Sequence, residues 1–202
     1  AYLGTGNGGR RYVDIMFLNG GMGARPNMDG VSSIGWPANI AGIPVEITEN
    51  EKPLLFHKKE LVNDTGGAGR QRGGLAAELI VRSEASEAIT MGVRLDRLQH
   101  PAQGVAGGGA GTPSSVRVNS KPVHPKRTLQ LMPGDVYSVS CAGGGGYGDP
   151  TERDPATVLK DVQGGYVSSA TAYDVYGVAL SSDGTSVAAA ETDAKRRQLR
   201  QR

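Results

Sequence analysis

The sequence has little cysteine and no long apolar run. Cys141 is the only cysteine among 202 residues, so an intramolecular disulfide is excluded and a reducing, cytoplasmic location is expected. No apolar stretch approaches the roughly 18 residues of a membrane-spanning helix. The N-terminus lacks the charged-then-apolar pattern of a signal peptide. Its opening residues, AYLGTGNGGRRYVDIMF, are typical of the interior of a longer protein.

Aromatic residues and net charge are also low. Phe, Trp and Tyr together make up 5% of the chain, and the formal net charge is +2. Five of the basic residues lie in the tail 188–202, so the remainder of the chain is nearly neutral. A broad basic face for nucleic acid is therefore not expected. We expect the tail to be a mobile or subunit-contacting helix, although an acidic partner or RNA is an alternative for its basic run.

Glycine, by contrast, is abundant. The chain has 31 glycines among 202 residues, about twice the average usage, without the Gly-X-Y period of collagen. Short apolar runs with a period of two separate the glycine-rich stretches and predict strands. The predicted strands are RRYVDIMFL, IPVEIT, LAAELIVRS, SEAITMGV, SSVRVNS, RTLQLM and DVYSVS. In MPGD, Pro133 and Gly134 predict a type II turn between the last two strands.

The pattern changes after Pro150. Asp154 followed by Pro155 predicts a helix start, and Ser168 or Ser169 predicts a second one. A third helix is expected in the tail. We therefore predict a mainly β (α+β) protein with a sandwich-like or mixed sheet core, long glycine-rich loops and a small helical C-terminal unit. The predicted boundaries are 1–150 for the β-rich core, 151–187 for the helical unit and 188–202 for the basic tail.

The most conspicuous glycine run is CAGGGGYGDP, residues 141–150. A phosphate-binding loop of the Walker type needs Lys and Ser or Thr directly after its last glycine, and a dinucleotide loop needs a helix that begins inside the motif. Here Asp149 and Pro150 follow, and an aspartate would repel phosphate. The run is better interpreted as a tight crossing where main chain packs on main chain.

Four glycine-rich motifs carry a resemblance to a known family. They are GGMGARPNMDG (20–30), NDTGGAGRQRGG (63–74), LMPGD (131–135) and GGGGYGDPTERDP (143–155). Their order and spacing, with YGV at 176–178, resemble the hydantoinase B/oxoprolinase family, and the chain is similar to the C-terminal third of its members. Each motif alone is weak, but the ordered set is specific.

The resemblance implies an activity that this chain does not perform alone. Family members are parts of ATP-dependent enzymes that open hydantoins or 5-oxoproline, or that carboxylate acetone or acetophenone. It implies a hetero-oligomer with a hydantoinase A-type ATP-binding subunit and the remainder of the B-type subunit, acting on a small cyclic amide. ATP and a divalent metal are expected elsewhere in that assembly and no cofactor in this chain. His57, His100 and His124 have no neighbouring metal ligand at the usual spacing, so we expect no metal site, no nucleic acid, no membrane and no isolated ATPase or amidohydrolase activity.

Two arginine-bearing glycine loops are the candidate substrate or anion site. Arg25 and Asp29 lie in the first loop, and Arg70 and Arg72 lie in the second. Guanidinium groups beside free backbone amides suit a carboxylate or a phosphate. The structural alternative is that these arginines hold loop carbonyls or a neighbouring subunit. The catalytic residues are not identified by the sequence.

Three interpretations of the whole chain remain open. The first is a part of a cyclic-amide hydrolase, with the equivalent part of a ketone carboxylase as its variant. The second is a non-catalytic assembly module whose loops bind a partner subunit. The third is an anion- or sugar-binding β-sandwich, which the scarcity of aromatic rings for sugar stacking disfavours.

Overall fold

The structure is a computed structural model that describes residues 1–35, 40 and 42–201. Part of the predicted loop 20–42 and Arg202 of the predicted tail lie outside these residues. Within the described part, nine strands form two antiparallel sheets. The strands are β1 (Tyr2–Thr5), β2 (Arg11–Asp14), β3 (Leu54–Leu61), β4 (Ala77–Ser83), β5 (Ile89–Gly92), β6 (Ser115–Val118), β7 (Lys121–Pro122), β8 (Thr128–Leu131) and β9 (Val136–Ser140). The α-helices are α1 (Val45–Glu51), α2 (Pro155–Gln163), α3 (Ser169–Asp174) and α4 (Ala189–Arg200), and a 3-10 turn covers Pro150–Glu152.

The two sheets enclose one hydrophobic core. The smaller sheet has the order β2-β1-β5-β8 and the larger one β3-β4-β9-β6-β7. The core takes Tyr2, Ile89, Met91 and Leu131 from the smaller sheet and Leu54, Leu79, Val81, Val116, Tyr137 and Val139 from the larger sheet. Strand β4 alternates strictly between buried and half-buried side chains, as its sequence predicts. The predicted α+β class is confirmed.

The turn between β8 and β9 has an unexpected role. Gly134 has φ of +80°, and the amide of Asp135 donates to the carbonyl of Met132 at 3.0 Å. The predicted strand–turn–strand is therefore confirmed. However, β8 belongs to the smaller sheet and β9 to the larger one. The turn passes the chain from one sheet to the other and does not close a hairpin.

The segment IPVEIT was predicted as a strand, and this prediction is wrong. Residues Val45–Glu51 form helix α1, which begins after Pro44 at φ −56°. Ile43 and Ile47 are 46% and 52% exposed, whereas Thr48 is buried. Three apolar residues at alternate positions are too few to separate a strand from one helical turn. Pro44, inside the run, cannot donate to a strand ladder and suits the start of a helix.

The helices after residue 150 follow their capping residues. The side chain of Asp154 accepts from the amide of Thr157, and the side chain of Ser168 accepts from the amide of Thr171. These bonds satisfy amides at the first turns of α2 and α3. The helical C-terminal unit has its own small hydrophobic core, which contains Val158, Val167, Ala172, Tyr176 and Val178. The predicted starts of both helices are confirmed.

Helix α4 is held on the protein by its own basic residues. Arg196 donates to the carbonyls of Tyr176 at 3.1 Å and Arg153 at 2.6 Å, and Arg200 donates to the side chain and carbonyl of Thr151. These bonds attach α4 to the 3-10 turn and to the end of α3, and the expectation of a mobile or subunit-contacting tail stays a prediction. No described helix, α4 included, has the length and apolar character that crossing a membrane requires.

The glycine-rich stretches form a bundle of extended main chains around residues 142–148. Carbonyls of Ala142 and Gly145 accept from Gly21 and Ala24 at 2.9 and 2.8 Å. Amides of the same central segment donate to two further segments. Gly143 and Gly146 donate to the carbonyls of Thr112 and Gly109, and Gly144 and Tyr147 donate to the carbonyls of Gly74 and Gln71. Along the central segment, residues three positions apart therefore bond to the same neighbouring segment. This is the period of a polyproline II-type helix, whose hydrogen bonds all go to neighbouring chains. We call residues 20–24, 65–74, 102–112 and 142–148 the glycine bundle.

Side chains do not fit inside the glycine bundle. A Cβ atom on Gly144 would lie 2.0 Å from the carbonyl oxygen of Met22, and one on Gly143 would lie 1.7 Å from that of Thr65. The same holds on the facing segment, where a Cβ on Gly73 would lie 2.0 Å from the carbonyl oxygen of Gly144. The interpretation of the central glycine run as main chain packed on main chain is therefore confirmed.

Replacement of Gly144, a tightly packed bundle glycine, should strongly destabilise the protein. Gly144→Ala forces the segments apart and breaks their hydrogen bonds, and we expect a loss of more than about 3 kcal/mol in the free energy of unfolding. Gly8→Ala is the matched control, because nothing lies within 4 Å of its Cβ position. Thermal unfolding followed by circular dichroism measures both. Similar melting temperatures for the two variants would contradict the close packing.

Candidate functional site

The glycine bundle places Arg25 and Arg70 at one exposed rim. Arg25 and Met28 exchange main-chain hydrogen bonds at 2.9 and 3.3 Å, which closes a tight turn. The guanidinium group of Arg70 donates to the carbonyl of Pro26, inside this turn, at 3.3 Å. Both arginine side chains are exposed. The structure therefore brings Arg25 and Arg70 to the same surface, where their charges are open to a ligand or a partner.

Asp29, the third predicted site residue, belongs to an ion pair. Its two carboxylate oxygens accept from Nη1 and Nη2 of Arg153 at 2.8 and 2.7 Å. It also accepts from the amide of Arg72 at 2.7 Å. Arg153 is 3% exposed and makes a second ion pair with Asp161 at 2.8 Å. One guanidinium group thus joins the first glycine loop to helix α2.

Arg72 is buried and points away from the rim. Its Nη1 donates to the carbonyl of Gly73 at 2.7 Å, and its Nε lies 3.6 Å from a carboxylate oxygen of Asp161. The guanidinium group also stacks over the ring of Tyr166 at 4.8 Å. Arg70 and Arg72 therefore have separate surroundings and do not converge on one ligand position. Their predicted roles in substrate binding stay predictions.

We call Asp29, Arg72, Arg153 and Asp161 the ion cluster. Arg153 and Asp161 were missed as partners of the predicted site because they lie far from it in sequence. The only sequence signal was that Arg153 falls inside the motif GGGGYGDPTERDP. The cluster connects both arginine-bearing loops to the helical unit, and Arg153 adds a bond to the carbonyl of Arg70 at 3.0 Å. The position of the Arg70 loop thus depends on this buried pairing.

Two opposing effects set the pKa of Asp29. Partial burial alone would raise the pKa, because it penalises the carboxylate. The hydrogen bonds and the positive charge of Arg153 outweigh burial, and the pKa of Asp29 lies below its ordinary value. Asp29 is therefore a carboxylate at neutral pH, and the ion pair is intact there.

Other reactive groups do not form a catalytic arrangement in the described residues. Burial raises the pKa of Cys141 to about 11, so its thiol is protonated at neutral pH and is a poor nucleophile. His57, His100 and His124 are all exposed. Within residues 1–35, 40 and 42–201, no group of three His, Cys, Asp or Glu side chains has the geometry to hold a metal ion.

An apolar cleft of about 300 Å³ opens between the two sheets. Its walls include Met16, Leu18, Met91, Tyr137 and Cys141. The walls are mainly hydrophobic, and Arg25 and Arg70 are not among them.

Comparison with known proteins agrees with the motifs. The model of the hydantoinase B/oxoprolinase family matches residues 2–150. The chain belongs to this family. It is 33% identical over 193 residues to the beta subunit of the caprolactamase of Pseudomonas jessenii, covering 88% of this chain. It is 28% identical over 179 residues to the B subunit of a putative D-/L-hydantoinase of Pseudomonas sp. strain NS671, covering 84% of this chain.

Two solved structures share the fold. The crystal structure of an ATP-dependent caprolactamase from Pseudomonas jessenii superposes with a TM-score of 0.70 at 31% identity over 89% of this chain. A nucleotide-free structure of acetone carboxylase superposes with a TM-score of 0.82 at 23% identity over 99% of this chain. The chain spans only 33% and 29% of the length of the two curated relatives, and 33% and 32% of these two structures.

Removal of Arg153 should be strongly destabilising. Arg153→Ala leaves Asp29 and Asp161 without their shared cation, and loss of one partner from a buried pair costs about 3–5 kcal/mol. The matched control is Arg82→Ala, because Arg82 pairs with Glu84 at the surface, where both side chains are more than 40% exposed. The control should lose less than about 1 kcal/mol. Urea denaturation compares the two, and equal losses would contradict a buried, interdependent cluster.

The ion cluster should also make stability depend on pH. Since the pKa of Asp29 is lowered in the folded protein, its contribution is present above the unfolded pKa of about 4 and is lost as pH falls through the lower folded pKa. The difference in free energy of unfolding between wild type and Asp29→Asn should be constant above about pH 5 and shrink below about pH 4. Denaturation at a series of pH values measures it. A difference that grows on acidification would refute the pairing.

Proposed function

We propose that the chain is the C-terminal part of the B-type subunit of an ATP-dependent enzyme that hydrolyses cyclic amides such as hydantoins and 5-oxoproline. The observation that carries this proposal is the family match over residues 2–150, together with the ordered glycine motifs. The family is that of ATP-dependent amide hydrolases and ketone carboxylases. Within it, the name caprolactamase belongs to a relative at 33% identity, which supports amide-bond opening.

The alternative is the equivalent part of a ketone carboxylase. The acetone carboxylase structure superposes with the higher TM-score of the two, but at 23% identity this likeness concerns the fold alone. The caprolactamase structure has the higher identity, 31%, and we favour hydrolysis for that reason. An assay of the complete enzyme with ATP decides between the two. Ring opening of hydantoin, 5-oxoproline or caprolactam supports our proposal, whereas ATP-dependent carboxylation of acetone without ring opening refutes it.

The proposal places the chemistry in an assembly. A hydantoinase A-type subunit supplies the ATP site, and the remainder of the B-type subunit supplies the divalent metal. Both relatives are named as single subunits of their enzymes, which supports a hetero-oligomer. We propose a cytoplasmic location, since a lone buried thiol suits a reducing compartment.

In this assembly the chain contributes a rigid cationic rim. The glycine bundle fixes the loops, and Arg25 and Arg70 face outward from it. A guanidinium group binds a carboxylate, or the phosphoryl group of an activated carbonyl, by charge-assisted hydrogen bonds. Asp29 and Arg72 do not contact the ligand and act as positioning residues. Their pairing in the ion cluster holds the loops that carry the exposed arginines. We propose this division of roles among the four predicted site residues.

The rim proposal predicts a catalytic defect without a stability defect. In the complete A–B enzyme, Arg25→Ala and Arg70→Ala should each lower kcat/KM roughly ten- to hundredfold, since one charge-assisted bond contributes about 1.5–3 kcal/mol. Arg70→Lys should not fully restore activity, because lysine cannot form the planar bidentate contact. Arg72→Ala should instead lower the melting temperature, because its side chain is buried.

Arg117→Ala is the matched control, because Arg117 is an exposed arginine on β6 outside both glycine loops. It should keep wild-type kinetics. If Arg25→Ala and Arg70→Ala keep wild-type kinetics but lose the partner subunit on gel filtration, the rim is an assembly surface and the catalytic role is refuted.

A further inference from the structure

The segment Ile15–Leu18, sequence IMFL, lies beside the two sheets without joining either. It directly follows β2, which is an edge strand of the smaller sheet. Ile15 and Phe17 are 49% and 46% exposed, while Met16 and Leu18 pack against the main core. This alternation is that of a strand with one face on a core.

The main chain of this segment is poorly satisfied. The amide of Ile15 bonds to the carboxylate of Asp14 at 2.7 Å, and the carbonyl of Leu18 accepts from the thiol of Cys141 at 3.3 Å. Among the residues that the structure describes, the amides of Met16, Phe17 and Leu18 have no main-chain partner. Extended chain with free amides and carbonyls is a template for pairing with another strand.

Unfilled space borders the segment at two openings. All four of its residues line the 300 Å³ cleft. They also line a smaller cavity of about 30 Å³ that reaches Ile43 and Phe56. Ile15, Phe17 and Ile43 are each about half exposed at these openings. Exposed large apolar side chains that border unfilled clefts are a feature of protein interfaces.

We infer that Ile15–Leu18 pairs with an extended, apolar strand from the remainder of the B-type subunit, through β-strand addition. This inference rests on the proposed function. A chain that spans about a third of its relatives' length leaves most of such a subunit outside it. The added strand satisfies the free amides, and its alternate aliphatic or aromatic side chains fill the clefts beside Ile15 and Phe17.

A second copy of this chain is a poorer occupant. In each copy, Met16 and Leu18 are committed to that copy's own core. Only Ile15 and Phe17 of each copy would then face the other copy. The 300 Å³ cleft would stay unfilled in both copies. A strand with unplaced apolar side chains on both faces fits the site better.

Amide hydrogen exchange of residues 15–18 tests the inference. The amides of Met16, Phe17 and Leu18 should exchange rapidly in this chain alone and at least about a hundredfold more slowly in the assembled B-type subunit without its A-type partner. Equal exchange in both samples overturns the inference. So does protection that appears in this chain alone at high concentration, which indicates a second copy, or protection that requires the A-type subunit.

A charge in the segment provides the matched test. Ile15→Asp should reduce association of this chain with the remainder of the B-type subunit at least about tenfold, because the carboxylate would be buried unpaired. Leu61→Asp, at a 41% exposed aliphatic position on β3 outside both clefts, should leave association unchanged. Equal weakening by both variants refutes the docking site. Neither measurement uses catalysis, so the two proposals can fail separately. If the complete enzyme hydrolyses cyclic amides but the amides of residues 16–18 stay unprotected, this inference alone is refuted. If these amides are protected but the complete enzyme does not hydrolyse cyclic amides, the proposed function alone is refuted.

Discussion

Main-chain contact at glycine is the interaction on which the other features depend. The central segment 142–148 bonds to three neighbouring segments in turn, and neighbouring main chain leaves no room for a Cβ atom at residues 143–146. The main-chain hydrogen bonds of the central segment all go to other segments, as in a polyproline II-type chain, so this segment is ordered by its neighbours. The bundle thus replaces side-chain packing in one part of the molecule and fixes loops that would otherwise be irregular. The outward direction of Arg25 and Arg70 follows from that rigidity.

The ion cluster complements the bundle at its border with the helical unit. Ala68 of the bundle packs against the small apolar core of the helical unit, and the ion cluster adds a directional contact made by charge. Arg153 is buried with a carboxylate on each side, and each polar contact is short and directional. A buried pair of this kind contributes orientation more than net stability. It sets where helix α2 lies relative to the loop that contains Asp29.

Sequence patterns within single elements predicted much of the fold, but they did not predict contacts between distant parts of the chain. The alternation in β4 and the caps Asp154 and Ser168 are local, and their elements were predicted. Helix α1 was missed because its apolar residues fit both periods, and β1 and β3 were not singled out. The close main-chain packing of the glycine run 141–150, which the structure confirms, was predicted from residue types and spacing. The partner of Asp29 could not be predicted from the pattern, because Arg153 lies 124 residues away in sequence and nothing local marks the pairing.

The bundle also has a consequence for how the chain folds. Its hydrogen bonds join residues near 21 to residues near 142, and residues near 67 to residues near 144. Contacts at such separations form after local ones, since loop closure must precede any gain in bonding. The first three segments also bond to one another, from Gly74 to Met22 and from Gly109 to Ala68, so part of the bundle needs no central segment, but the complete bundle requires that residues 142–148 have left the ribosome. The larger sheet has a similar requirement, because its inner strand β9 directly precedes the central segment, whereas the ion cluster also needs Arg153 and Asp161, which follow that segment.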